Sequence, residues 1–234
     1  MKIKLVVLII ASIIGFSSSL SAENLRMAYS TAPRSIDPFP YGGASTAGYK
    51  EHVFEALVGS DDSPLLSTGW VWNSPTSLTV NLRKGIKFHN GADFTARDVV
   101  YSACRMMYRV DGKRNLLTSS MGPISDVVEV DTHSVRFEMK NAYPLWIQKM
   151  KFLSMLSASG GDVPSGKITY DAEGNCGISS YPTRDDFENG DAAVGTGPFK
   201  HESYSKDSAV LVRNDAYWGE KSIWEGVEIS SVSN

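Results

Sequence analysis

Between Ser77 and Ser102 the hydrophobic period changes from two residues to nearly four, which confines the chain to folds that combine sheet and helix. Leu78, Val80 and Leu82 alternate with Thr79, Asn81 and Arg83, so one face of a strand points at a core. After Gly85, the segment Ile86-Lys87-Phe88 is predicted to pair with that strand, and His89-Asn90-Gly91 is the turn. Thr95 followed three residues later by Asp98 is close to a capping box. Beyond it Val99, Val100, Ala103, Met106, Met107 and Val110 supply one apolar helix face.

The same reading extends along the chain. Leu25 to Ser30 reads as a strand, closed by Ala32-Pro33 and Asp37-Pro38-Phe39-Pro40, because each proline keeps its predecessor out of helical geometry. Ser45 or Thr46 is predicted to cap a helix carrying Tyr49, Val53, Phe54, Leu57 and Val58, which Gly59 ends. Val128 and Val130, the turn Asp131-Thr132-His133, and Val135, Phe137 and Met139 predict a hairpin. A short helix follows near Leu145 to Met150. From Ser157 to Asp191 Gly, Ser, Asp and Pro dominate, which predicts a long irregular excursion across the surface or between subdomains. Phe199 to Tyr204 and Ala209 to Val212 form a second hairpin, and Val227-Glu228-Ile229 begins a strand.

Ahead of all this, Lys2 and Lys4 precede the apolar run Leu5 to Gly15 and the small polar stretch Ser17 to Ala22, the layout of a secretory signal peptide. Eleven apolar residues at about 1.5 Å each reach only half of a ~30 Å hydrocarbon core, so residues 1–22 are predicted to be an export signal, cleaved after Ser21 or Ala22. No cysteine follows the run, so a lipid anchor is not implied. The remainder carries 21 basic and 26 acidic residues without a basic patch, which argues against nucleic acid as a partner.

Chemistry-bearing patterns are sparse. Gly161 to Lys167 has phosphate-loop spacing, but Ile168 stands where a hydroxyl must meet Mg²⁺. Asp171, Glu173 and Asn175 imitate a calcium loop, but Cys176 replaces its turning glycine and Pro182 its final glutamate. His52, His89, His133 and His201 are scattered and read as hydrogen-bonded scaffold residues, and no nucleophile elbow is present. No metal or cofactor is implied. Cys104 and Cys176 either pair, as an oxidising compartment allows, or stay as buried thiols.

The whole stretch Ser77 to Ser102 resembles the signature of the family 5 solute-binding proteins of ATP-binding cassette importers, the dipeptide, oligopeptide and nickel binders. Ser35-Ile36-Asp37-Pro38, Val194-Gly195-Thr196-Gly197-Pro198-Phe199 and Arg213-Asn214-Asp215-Ala216-Tyr217-Trp218-Gly219 agree in order. In residue terms, Phe88 and Phe94 would pack under the helix that Thr95 starts, the glycines of the second segment would permit unusual dihedrals, and Trp218 would stack on a ligand or anchor the core. The resemblance implies an α/β fold of the type II periplasmic binding protein kind, with mixed sheets and flanking helices. One subdomain would take residues 23–49 and 170–234 and an inserted one residues 50–169. Family members continue through a second lobe, so these 234 residues correspond to most of a first lobe and are expected to bind solute weakly by themselves. The implied function is non-catalytic: an exported, periplasmic solute binder, for peptides above all, monomeric at full length, presenting its solute to an inner-membrane permease. Ser30, Thr31 and Ala32 stand where the resemblance brings the chain near the solute. The alternatives are a secreted hydrolase, needing a histidine beside a carboxylate and a hydroxyl, and an interaction fragment without solute.

Overall fold

A computed structural model describes residues 23–40, 42–108, 117–159, 166–173 and 176–232. The export segment, Val110, Asn175 and most of the Gly161 to Lys167 loop lie outside the described residues.

Among the described residues the strands form two four-stranded sheets. In the first, β1 (Leu25–Tyr29), β8 (Gly226–Ser231), β7 (Ser208–Arg213) and β6 (Phe199–Tyr204) lie side by side in that order. β1 runs parallel to β8, and the other pairings are antiparallel. The second sheet is antiparallel throughout, in the order β2 (Ser67–Ser74), β3 (Ser77–Leu82), β5 (Ser134–Met139), β4 (Ile124–Asp131). The chain thus begins in one sheet, builds the other, and returns.

β3 buries Leu78, Val80 and Leu82 as the alternation requires, with Leu78 opposite Phe137 and Val80 opposite Val135. Its partners are β2 and β5, whereas Ile86-Lys87-Phe88 makes only the isolated bridge Lys87 to Asp93. The strand β2 escapes a period-two reading because register shifts at Ser67/Gly69 and Trp72/Ser74 interrupt it. A similar shift corrects β4: its buried residues are Ile124 and Val127, and Val130, predicted to face inward, is exposed.

Two helices show how local rules win or lose. α2 (Ala96–Met107) begins where expected, and the Asp98 carboxylate accepts from the Thr95 N–H at 2.8 Å and the Thr95 hydroxyl at 2.9 Å. Its buried face lies over β4 and β5. Phe88 and Phe94 meet edge to face at 6.0 Å. α1 (Ala44–Val53) instead stops six residues before Gly59, and Ser45 and Thr46 lie buried inside it after a Gly43 cap. Phe54 to Val58 are all buried and leave the helix, with isolated bridges from Ala56 to Ser154 and from Val58 to Pro64. Phe54, Ala56, Leu57 and Val58, interrupted only by Glu55, fit a helix face and a buried extended segment equally well.

Three shorter helices complete the set: α3 (Thr118–Met121), α4 (Trp146–Lys149) with a 3₁₀ turn at Met150–Phe152, and α5 (Arg184–Glu188). α5 sits inside the excursion read as irregular, and Thr183 with Asp186 repeats the Thr95 and Asp98 spacing that starts α2. Among its described residues Ile168, Tyr170, Cys176, Tyr181 and Phe187 are buried, so the excursion is not confined to the surface. A disulfide joins Cys104 on α2 to Cys176, 72 residues on, and closing such a loop stabilises by about 4 kcal/mol on chain entropy. Next to it Arg105 and Asp37, both fully buried, pair at 2.5 Å, which ties α2 to the loop after β1.

Candidate functional site

The candidate site lies at the loop that follows β1, and apart from it the segment Val194 to Phe199 forms a buried junction with the end of α1. Gly195 and Gly197 are absent from the positive-φ glycines, so unusual dihedrals are not their role. A Cβ on Gly195 would lie 1.8 Å from the Val53 carbonyl oxygen, and one on Gly197 2.4 Å from that of His52. The glycines let this segment press against the end of α1, where the Gly197 N–H donates to the Val53 carbonyl at 3.0 Å.

His89 locks the other side. The Gly195 N–H donates to Nδ1 at 3.3 Å, so the proton resides on Nε2, which donates to the Gly197 carbonyl at 3.0 Å. Burial, reinforced by nearby Lys200 and opposed by the Gly197 bond, lowers the imidazole pKa to about 4. An unfolded histidine titrates near 6.5, so the folded state binds fewer protons between those values. This contribution to stability is whole above pH 6.5 and fades as pH falls toward 4, by on the order of 1–3 kcal/mol. Denaturant midpoints across pH 4 to 7 should show that slope in the native chain and lose it in His89→Asn; identical slopes would refute the assignment.

Glu55 is the residue that sequence reading passed over. It lies just beyond α1, buried, and its carboxylate accepts from the Thr196 hydroxyl at 2.8 Å, the Tyr217 hydroxyl at 2.7 Å and the Trp218 indole N–H at 2.8 Å. Desolvation raises its pKa against the pull of these donors. Trp218, with Arg83 over its ring at 4.8 Å, is therefore held inward as an anchor. The remaining histidines also serve the scaffold: His52 Nδ1–H donates to the Gly48 carbonyl at 2.5 Å, and His201 Nδ1 shares a 3.0 Å bond with the Tyr49 hydroxyl. The backbone N–H of His133 donates to Asp131 in the β4/β5 turn. Among the described residues no group of three or more His, Cys, Asp or Glu is placed to hold a metal ion.

Ser30, Thr31 and Ala32 stand together at the carboxyl end of β1, the first two exposed and Ala32 buried. They line a cavity of about 530 Å³ with Ser231, from the parallel neighbour β8, and Lys206 and Asp207 of the β6/β7 turn. Its walls are pinned: the Tyr204 hydroxyl donates to the Pro33 carbonyl at 2.8 Å, Arg184 to the Arg34 carbonyl at 3.0 Å, and the Ser231 N–H to the Asp207 carbonyl at 2.9 Å. Open α/β sheets receive ligands outside the carboxyl ends of their strands, which is where this cavity opens. Arg34, Arg184 and Lys206 bring positive charge to it and Glu188 and Asp207 negative, with Glu188 paired to Arg184.

The sequence matches the model of the bacterial extracellular solute-binding proteins, family 5 (middle), over residues 63–234. It is 28% identical over 230 residues to the dipeptide-binding protein of Escherichia coli (strain K12), a match covering 88% of this chain and 40% of that one. It is 27% identical over 244 residues to heme-binding protein A of Haemophilus influenzae, covering 91% and 41%. The fold is similar to the periplasmic binding protein DppA from Helicobacter pylori in complex with peptide STSA, at a TM-score of 0.69 and 23% identity, covering 89% of this chain and 42% of that one. It is similar, too, to the unliganded open form of the periplasmic murein tripeptide binding protein MppA, at a TM-score of 0.71 and 19% identity, covering 91% and 42%. The chain spans about two-fifths of the length of these relatives.

Proposed function

Since the chain belongs to the bacterial extracellular solute-binding proteins of family 5, we propose that it serves as the periplasmic, non-catalytic solute binder of an ATP-binding cassette importer, with a short peptide as its solute. On this reading Ser30, Thr31 and Ala32 form this lobe's part of the solute site, and an inner-membrane permease is the partner. The two-sheet arrangement supports the division into one subdomain of residues 23–49 and 170–234 and an inserted one of residues 50–169.

The observation that carries the reading is the cavity at the carboxyl ends of β1 and β8, whose walls bear both signs of charge. A zwitterion with separated ends suits such walls, whereas a neutral sugar or a simple anion uses only part of them. The relatives named for peptides support the same class. Amide NMR titration of the 234-residue chain with dialanine and trialanine tests it. Shifts should centre on Ser30, Thr31, Ala32 and Lys206, and should vanish when both peptide ends are blocked. Peptide-induced shifts centred elsewhere, or equal shifts from blocked peptides, would overturn it.

A further inference from the structure

The charges around the cavity at the end of β1 do not balance. Arg184 and Glu188 form an ion pair along α5, which leaves Arg34, Lys206 and Asp207 as the remaining charged side chains of the lining. None of these three has a hydrogen-bonding or ion-pair partner for its side chain among the described residues, so two cations stand against one carboxylate. The backbones beneath them are fixed. The Arg34 carbonyl accepts from Arg184 at 3.0 Å and the Pro33 carbonyl from the Tyr204 hydroxyl at 2.8 Å. In the turn that carries Lys206, the Ser205 N–H donates to the Ser208 carbonyl at 2.8 Å, and the Asp207 carbonyl accepts from the Ser231 N–H at 2.9 Å. The loop after β1 and the β6/β7 turn therefore hold Arg34 and Lys206 on the two sides of Ser231, at the end of β8. The same lining offers little to an apolar side chain: Ala32 and Pro33 are buried, and its one aromatic residue, Tyr204, has its hydroxyl engaged.

We propose that the solute is an acidic peptide, one whose side-chain carboxylate adds a second negative charge to that of its C-terminus; this rests on the reading that a peptide lies in this cavity. A peptide with a neutral side chain offers its ammonium group to Asp207 and its C-terminal carboxylate to one of the two cations, and the other stays unpaired. An acidic side chain engages that cation as well. A basic side chain meets the surplus of positive charge instead and is disfavoured. Because the backbones under Arg34 and Lys206 are already held, pairing them orders side chains alone, which limits the entropy lost on binding.

Amide NMR titration of the 234-residue chain with Ala-Glu, its neutral isostere Ala-Gln, and Ala-Lys decides the matter. All three should shift Ser30, Thr31 and Ala32. Ala-Glu should bind about two- to fivefold more tightly than Ala-Gln, the scale of one exposed ion pair, and Ala-Lys more weakly than Ala-Gln. Raising the ionic strength from about 0.02 M to about 0.5 M should erase the preference. Arg34 and Lys206 are exposed, so the double variant Arg34→Gln, Lys206→Gln should keep the fold and bind Ala-Glu and Ala-Gln alike. Equal binding of Ala-Glu and Ala-Gln by the native chain, tighter binding of Ala-Lys, or a preference that survives in the double variant would overturn the proposal and leave the peptide reading standing. Absence of shifts at Ser30, Thr31 and Ala32 with all three peptides would overturn that reading and the proposal with it.

Discussion

Glu55→Ala should lower the free energy of unfolding by about 3–5 kcal/mol, because it removes the common acceptor of three buried or half-buried donors. The Thr196 and Tyr217 hydroxyls can turn toward other acceptors, but the Trp218 indole N–H points in one direction and cannot. Glu55→Gln keeps one carbonyl oxygen and sets an NH₂ group against the remaining donors, so it should cost less, about 1–3 kcal/mol. Urea unfolding followed by tryptophan fluorescence measures both. A loss below about 1 kcal/mol for Glu55→Ala would mean that these contacts are not what joins Val194 to Phe199 and the Tyr217-Trp218 pair to the end of α1.

Gly195→Ala should be still more damaging, beyond about 4 kcal/mol, because every atom its Cβ would strike is backbone. The nearest are the Val53 carbonyl oxygen at 1.8 Å, the Val53 carbonyl carbon at 2.6 Å and the Phe54 Cα at 3.1 Å. No rotamer change relieves such a contact, so the two segments must separate, and the His89 bonds to Gly195 and Gly197 go with them. Gly166→Ala is the control, since its Cβ would meet nothing within 4 Å and its φ is not positive, so it should fall within about 0.5 kcal/mol of the native chain. Equal stability of the two variants, in the same denaturation experiment, would contradict the close-approach account.

What could be read from the sequence follows the range of the interactions. Thr95 and Asp98 lie three residues apart and carry their own signal, as do the two hairpins, so α2 and the pairs β4/β5 and β6/β7 were legible. Thr183 and Asp186 carry the same signal, and α5 was within reach of the same rule. Glu55 was not, because its three partners lie 141, 162 and 163 residues away. The end of α1 and the inward phase of β4 failed for a local reason: a short, mostly apolar segment and a bulge each blur the period that tells one conformation from another. The candidate site stands between these cases. The motif resemblance marked Ser30, Thr31 and Ala32, but the cavity beside them depends on Tyr204, Lys206 and Ser231, which only the folded sheet brings to the end of β1.

The central claim, that a peptide solute lies against the loop after β1, is tested most directly by photolabelling with a dipeptide bearing a diazirine side chain and free termini. Trypsin releases Met27 to Arg34 as one fragment, which contains Ser30, Thr31 and Ala32. The account expects label on that fragment, competed away by unlabelled dialanine and untouched by its end-blocked form. Label confined to fragments from β2 to β5, or label that dialanine does not displace, would contradict it.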